Sequence, residues 1–283
     1  METGKHIISF EEYLADPCDV PSLSRSTIKD LVTKTPRHAY WNHPKLNKEF
    51  KPEESKSQFD IGTAAHSIFL QGDNIAVCLD FDDWRKKEAQ AARDDARANG
   101  LIPLLTKQYD GVMAMVEVAR IELRNSELNI DLKDGESELT YIWKEGETYC
   151  RIRPDWISKD RIIILDYKTT AQLAEPEQFS KTVVNYGYDI QESFYRRGVN
   201  KIENSEPEFH FMVQEVESPY LCSFIELDMQ FQDMGAQKVK RGLHLWNRCM
   251  KEGVWPGYFG HVYTIEPPAY ALAGWEYKKA MGE

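Results

Sequence analysis

Four consecutive apolar residues, Ile162, Ile163, Ile164 and Leu165, lie between Arg161 and Asp166. A β-branched-rich run bounded by charge predicts a strand buried on both faces of a sheet. Upstream, residues 137–143 and 149–157 predict two adjacent strands, and Ser158, Lys159 and Asp160 form the turn that returns the chain into the aliphatic run. A helical period appears where Ile61, Ala65, Ile68 and Phe69 share one side, with Gly72 as the stop. The charged, alanine-rich stretch 83–99 predicts a helix ending at Gly100, and 106–125 a longer one with Val112, Met115, Val116 and Ala119 aligned. Residues 209–215 and 221–229 predict a strand pair around the Ser218-Pro219 turn, and 231–250 a helix. The tail from Gly253, rich in Trp, Pro, Tyr and Gly, is expected to be irregular and packed on the body.

The chemistry gathers where the aliphatic strand ends. Side chains alternate across a strand, so Asp166 and Lys168 share a face roughly 6 to 7 Å apart. Residues 151–157 lead into the turn, so Asp155 can face Asp166 across a hairpin. Two converging carboxylates repel each other and suit a divalent cation. Mg²⁺ takes oxygen ligands and keeps several waters, which leaves positions for a phosphate oxygen and an attacking water. Lys168 adds a point charge able to orient or deprotonate that water and to steady charge developing on phosphorus. Alone, a D-x-K is more often a turn-edge aspartate beside a solvated lysine.

Two further motifs change that balance. Gly62-Thr63-Ala64-Ala65-His66 opens its helix as G-x-x-x-H, although a lone helical histidine is more often packed or solvent-facing. Gln191 and Tyr195 form Q-x-x-x-Y, one helical turn apart on a common face. By itself that segment is an ordinary amphipathic helix with Phe194 inward and Arg196-Arg197 outward. Together with Pro154 before Asp155, the ten residues between Asp155 and Asp166, and D-Y-K-T-T after the aliphatic strand, these motifs resemble the PD-(D/E)xK nuclease superfamily in its RecB-like branch. Leu23-Ser24-Arg25-Ser26-Thr27 with Pro36-Arg37-His38-Ala39-Tyr40-Trp41 is similar to the opening segment of the RecE-type exonucleases, the exonuclease VIII nuclease domain and its phage relatives. The order His66, Glu138, Asp155, Asp166, Lys168, Gln191, Tyr195 carries the resemblance over about residues 20 to 200.

The resemblance implies a PD-(D/E)xK nuclease fold, an α/β architecture with a mixed central β-sheet flanked by α-helices. It implies His66, Asp155, Asp166 and the Tyr167 backbone carbonyl as metal ligands, and catalysis by Lys168 with Asp155, Asp166, Gln191 and Tyr195. The second acid is Asp166 rather than a glutamate, and the superfamily pattern admits either. Some relatives place an extra acid where Glu138 stands, and a strand-edge glutamate is an equal alternative. The implied activity is Mg²⁺-dependent hydrolysis, with Mn²⁺ as a substitute, of double-stranded DNA from 5′ ends, leaving 3′ single strands for recombination by single-strand annealing. Implied partners are duplex ends, further copies of the chain in a tetrameric ring, and an annealing protein of RecT type. Another nuclease of the superfamily, a repair or restriction-type endonuclease, would differ by cutting circular duplex. A catalytically inert DNA-binding relative would show a broken His-Asp-Asp-Lys set, and the set is intact here.

Composition narrows the field. With 283 residues and 42% hydrophobic content, the chain can bury a substantial core, as one domain over 1–283 or as a domain with an appended C-terminal lobe. One domain is expected, with the core motifs at about 60–200 and residues 205–283 packed on it. No apolar run approaches a membrane span, and the N-terminal stretch lacks the order of a signal peptide, so the expected compartment is the cytoplasm. Five scattered cysteines, Cys18, Cys78, Cys150, Cys222 and Cys249, contain no C-x-x-C pair. That argues against a disulfide framework, a zinc site, and the iron-sulfur cluster of the CRISPR-associated and AddB-like nucleases. No G-x-x-x-x-G-K-[ST] is present, so no ATP-driven motor is expected.

A net charge of −11 is unusual for a DNA-binding protein. Its distribution is uneven, because Arg151, Arg153, Arg161, Lys168, Lys181, Arg196 and Arg197 gather around the candidate site. Of these, Arg151, Arg153, Arg196 and Arg197 are expected phosphate contacts. A second basic run, Lys238, Lys240, Arg241, Arg248 and Lys251 with Trp246, has helical spacing, although most such runs are solvated faces.

Overall fold

The computed structural model describes residues 1–51, 60–72, 75–258 and 260–282. The first elements are strand β1 (Gly4–His6) and helices α1 (Phe10–Leu14), α2 (Arg25–Thr33), α3 (Pro36–Trp41) and α4 (Asp60–Leu70). β2 (Ala76–Leu79), α5 (Lys87–Ala98), β3 (Ile102–Leu105) and α6 (Thr106–Asn125) follow. The sheet-forming half runs β4 (Gly135–Ser137), β5 (Thr140–Glu145), β6 (Thr148–Ile152), β7 (Trp156–Ser158), β8 (Ile163–Thr170), α7 (Pro176–Tyr186), α8 (Tyr188–Glu203), β9 (Glu208–Glu215) and β10 (Cys222–Ile225). Two further helices, α9 (Met229–Glu252) and α10 (Ala269–Met281), close the chain.

The central sheet has the order β10-β9-β8-β7-β4. β8 and β9 pair parallel while the other neighbours pair antiparallel, so the sheet is mixed, as the resemblance implies. A smaller antiparallel sheet, β1-β5-β6, continues from it. The aliphatic run explains why β8 is central. Ile164 points into a core packed by Ile190 and Phe194 of α8, and Leu165 into a second core with Ala65, Phe69 and Met115 of α4 and α6. A strand with a core on each side needs apolar residues at successive positions rather than alternate ones. Ile162 is the exception: it is half-exposed and lies in the turn before β8, where Arg161 has a positive φ of 65°.

The expected pair of continuous strands is broken. Residues 137–143 divide into β4 and β5, and 149–157 into β6 and β7. Both breaks fall at one level. The pairing Tyr141↔Ile152 on one side and Ser137↔Trp156 on the other keeps a single register, which sets Glu138 opposite Asp155. The Glu138 amide donates to the Asp155 carbonyl at 3.0 Å across the gap. Pro154 has no amide to give to a ladder, and Glu138 takes a left-handed φ of 58° that a glutamate rarely adopts. A chain held in such a conformation by its surroundings is a common mark of a functional position.

The C-terminal tail corrects the sequence reading. Trp255 is buried against Tyr40 and Trp246, so the start of the tail does pack on the body. The described residues from 260 onward are exposed and include helix α10, with Trp275, Tyr270 and Tyr277 open to solvent. In the basic run of α9, Trp246 is a core residue and Lys238 pairs with Asp189 at 2.5 Å. Among the described residues, no helix is long and apolar enough to cross a membrane.

Candidate active site

The two registers that meet at β7 line up three carboxylates. Trp156↔Leu165 and Ile157↔Ile164, carried one residue further, set Asp155 opposite Asp166, just as Glu138 lies opposite Asp155. The hairpin read from the sequence is therefore present. The Tyr167 amide fastens it by donating to Asp155 Oδ2 at 2.9 Å. Helix α4 brings His66 over the same spot, with Nε2 3.1 Å from Asp155 Oδ2 and Nδ1 3.6 Å from Glu138 Oε1. His66, Glu138 and Asp155 each offer a ligand atom, all within 4.8 Å of one another. Among the described residues this is the one such cluster of His, Cys, Asp and Glu side chains.

Gly62 gives the G-x-x-x-H spacing its physical reason. A Cβ on Gly62 would stand 2.7 Å from Thr169 Oγ1 of β8, closer than side chains approach, so glycine lets α4 lie against the strand. His66 sits one turn further on and inherits that closeness. Gly62→Val should therefore push the helix outward and weaken divalent-metal binding by about tenfold, the usual scale for losing a ligand's support. Calorimetric titration with Mn²⁺ checks this, and unchanged affinity would show that the close approach has no bearing on His66.

Asp166 is fully buried on the α8 side of β8. Its Oδ1 meets Lys168 Nζ, and its Oδ2 accepts from Gln191 Nε2 of α8. The expected ligand set is thus brought together in part: Glu138 joins His66 and Asp155, while Asp166 stands beside them held by Lys168 and Gln191. Tyr167 contributes its amide, and its ring packs on Phe69 in the second core with centroids 4.8 Å apart. Tyr195 is buried one turn after Gln191, edge-on to Phe209, and burial holds its hydroxyl well above the usual tyrosine range. Lys168 Nζ also lies 5.3 Å from the centre of the Tyr188 ring.

The charges in this site are strained against one another. Burial, then repulsion from Asp155, raises the Asp166 carboxyl to about 6, and the Lys168 charge only partly opposes the rise. Burial acts the same way on Asp155, but the His66 and Lys168 charges and the hydrogen bonds from His66 and Tyr167 outweigh it and bring it to about 2. The two values belong to the pair, which takes its protons in separate steps. Burial and the charge of Asp155 also raise Glu138. His66 is lowered by burial, but Asp155 and Glu138 outweigh that, so its pKa is raised. Lys168 is likewise disfavoured by burial and held well above the usual lysine range by Asp166 and Asp155. Crowded carboxylates with one half-buried ammonium and an imidazole nitrogen fit a hard divalent cation, which would relieve their repulsion.

A stability consequence follows for the metal-free protein. A carboxyl whose folded pKa is raised favours folding below its unfolded value near 4 and loses that contribution as pH rises through about 6. Asp155 is depressed, so its contribution is present above pH 4 and is lost as pH falls toward about 2. Melting in EDTA should therefore be highest near pH 5, and Asp166→Asn should raise the melting temperature at pH 8 by several degrees, for at most about 3 kcal/mol. No rise in the Asn variant would show that Asp166 is not electrostatically stressed.

Two of the expected phosphate contacts, Arg151 and Arg153, need correction. Arg151 is buried, giving Nη1 to the Ser22 carbonyl at 2.9 Å and lying 3.4 Å from Asp16. Arg153 is buried too, bound to Glu138 and to the Ile8 carbonyl at 2.8 Å. Both are spent on internal partners, although Arg153 borders the cavity lined by Ile8, Ser137 and Glu138. Arg196 pairs with Glu192 at 2.9 Å, and Arg197 forms a forked pair with Glu145. At 100° per residue these two positions leave α8 well away from the Gln191 direction, so they flank the helix rather than the carboxylates.

A mixed sheet with a broken hairpin, converging carboxylates and a strand-end lysine defines the PD-(D/E)xK class of nuclease folds. The chain belongs to the family described as a PDDEXK-like domain of unknown function (DUF3799), which matches residues 24–267. A solved structure of a "Putative exonuclease" from Eubacterium rectale is similar with a TM-score of 0.62 at 16% identity, covering 94% of this chain and 98% of that one. At that identity the likeness concerns the fold. A second structure, SSO0001, has a TM-score of 0.26 at 11% identity over 68% of this chain and 87% of its own. No curated protein sequence matches.

Proposed function

We propose that this protein is a Mg²⁺-dependent double-stranded DNA exonuclease of RecE type, degrading from 5′ ends to leave 3′ single strands. The observation that carries the reading is the alignment of Glu138, Asp155 and Asp166 across three strand segments, with His66 above and Lys168 beside them. When bound, the cation would supply charge neutralisation at the phosphate and a more acidic water. His66, Glu138, Asp155 and Asp166 are the residues that would hold it.

The remaining roles fall to the chain itself. In the metal-free site Asp166 and Asp155 favour the charged form of Lys168, and beside the phosphate that charge would orient the attacking water and steady the charge developing on phosphorus. Gln191 fixes Asp166 through one oxygen and leaves the carboxylate's direction defined. Arg153 and the Tyr167 amide fix Glu138 and Asp155 in the same way, and Tyr195 walls the site from α8. A tetrameric ring, a RecT-type annealing partner and action in the cytoplasm complete the proposal and rest on the family resemblance. So does the treatment of residues 1–283 as a single nuclease domain.

Digestion of linear duplexes labelled at the 5′ or the 3′ end, with Mg²⁺ and with EDTA, tests the reading. Early release of the 5′ label, with Mg²⁺ only and with closed circular duplex untouched, is expected. Cutting of the circle would make the protein an endonuclease of the same superfamily.

A further inference from the structure

The helices α7 and α8 meet at Gly187, whose φ of 66° lets the chain turn sharply between them. The turn leaves Tyr186 and Tyr188 on either side of one residue, and their rings stack at 5.7 Å and 21°. The column continues inward, because Tyr188 also stacks on Phe179 at 5.7 Å and 26°. Phe179 is a core residue packed on Phe211, whereas Tyr186 is 56% exposed. Three rings thus run from core to solvent, and the outer one is more than half exposed, with Lys29 over its ring.

The surroundings of the column are cationic. Arg25 lies 5.4 Å from the Tyr188 ring centre and Lys29 lies 5.5 Å from that of Tyr186. Arg25 donates to the Tyr186 carbonyl at 2.6 Å, and its Nε is buried with no hydrogen-bond partner. Neither Arg25 nor Lys29 forms an ion pair with a described carboxylate, in a chain whose net charge is −11. Burial lowers the Lys29 pKa, and the neighbouring Arg25 and Lys34 add to this, with Asp30 only partly opposing it. The other face of this arrangement is the active site, since Tyr188 is also the ring beneath Lys168.

We propose that the Phe179-Tyr188-Tyr186 column, with Arg25 and Lys29, stacks an unpaired nucleobase of the DNA strand whose neighbouring phosphodiester lies at Asp155, Asp166 and Lys168. Aromatic rings that bases stack on, flanked by cations for the backbone, are how single strands are held without reading sequence. An open ring needs a base freed from its pair, so the platform favours a frayed end over intact duplex. The proposal rests on the nuclease reading for the neighbouring phosphodiester. Its binding test stands apart from cleavage.

The test is fluorescence anisotropy with the full chain and calcium in place of magnesium. The probes are a labelled oligothymidylate and a strand of the same length built from abasic sugar-phosphate units. The wild type should bind the thymidylate at least about fivefold more tightly than the abasic strand. Tyr186→Ala should bring the two within about twofold, while Tyr186→Phe keeps the difference because stacking needs only the ring. Because Tyr186 is largely exposed, the alanine variant should melt as the wild type does, which separates lost stacking from lost folding. Lys29→Ala should weaken both probes alike and flatten their salt dependence. Equal wild-type affinity for the two probes overturns the proposal even if the protein degrades DNA. A base preference that vanishes with Tyr186→Ala upholds it even if no hydrolysis is found, and in that case the nuclease reading alone fails.

Discussion

Asp166→Ala should abolish Mg²⁺-dependent hydrolysis of linear duplex DNA, lowering the rate by about 10³-fold or more, while the protein still folds and still binds duplex. The size follows from several kcal/mol of charge stabilisation lost with a residue that would hold the cation. Folding should survive because the buried Asp166 carboxyl is raised to about 6 by burial and by Asp155, so its removal relieves repulsion. DNA affinity should survive because a carboxylate attracts no phosphate. Rates from initial velocities with Mg²⁺, and affinities with Ca²⁺, give the two readouts. Full activity of the variant would remove the carboxylate row from the mechanism.

Lys168→Ala should separate charge on the reacting phosphate from metal binding. The variant should lose about 10²- to 10³-fold in rate, the scale for removing one preorganised electrostatic donor. Calorimetric titration with Mn²⁺ should give an affinity no weaker than the wild type, since Asp155 and Asp166 are freed from a competing ammonium. Lys168→Arg should recover little of the rate, because a planar fork does not reproduce the point charge that Lys168 places between Asp166 and the Tyr188 ring. Loss of metal binding in Lys168→Ala would make the lysine a structural part of the site instead.

These expectations draw on features that differ in how openly the sequence displays them. β8 was legible because a strand with a core on both faces must carry consecutive apolar residues, and the D-x-K at its end follows from simple alternation. The pairing of Asp155 with Asp166 was legible for the same reason, since a short turn fixes the register. The breaks at Glu138 and Pro154 were not. Each strand reads as continuous, and only the shared register across two sheets reveals that the gap sets Glu138 against Asp155. Pro154 was the one local signal, as a residue that cannot donate to a ladder.

Arg151 and Arg153 were misread for a different reason. Charge density along a chain does not say which guanidinium is spent inside, and Arg151 is taken by Ser22 and Asp16 from far away in sequence. The tyrosine column was also hidden, although two aromatics flanking a glycine at a helix junction, Tyr186-Gly187-Tyr188, are a signal that could have been read. Helix α10 was masked by the Pro and Gly that precede it, and its exposed aromatic face makes it look like a packed tail.

The central claim is that one cation centre is built at the break in the hairpin. Anomalous diffraction from a crystal soaked in Mn²⁺ tests it most directly. A peak in contact with Asp155 and Asp166, beside His66 and Glu138, is the expected result. No peak there at saturating Mn²⁺, or a peak held only by carboxylates elsewhere on the surface, would contradict the account.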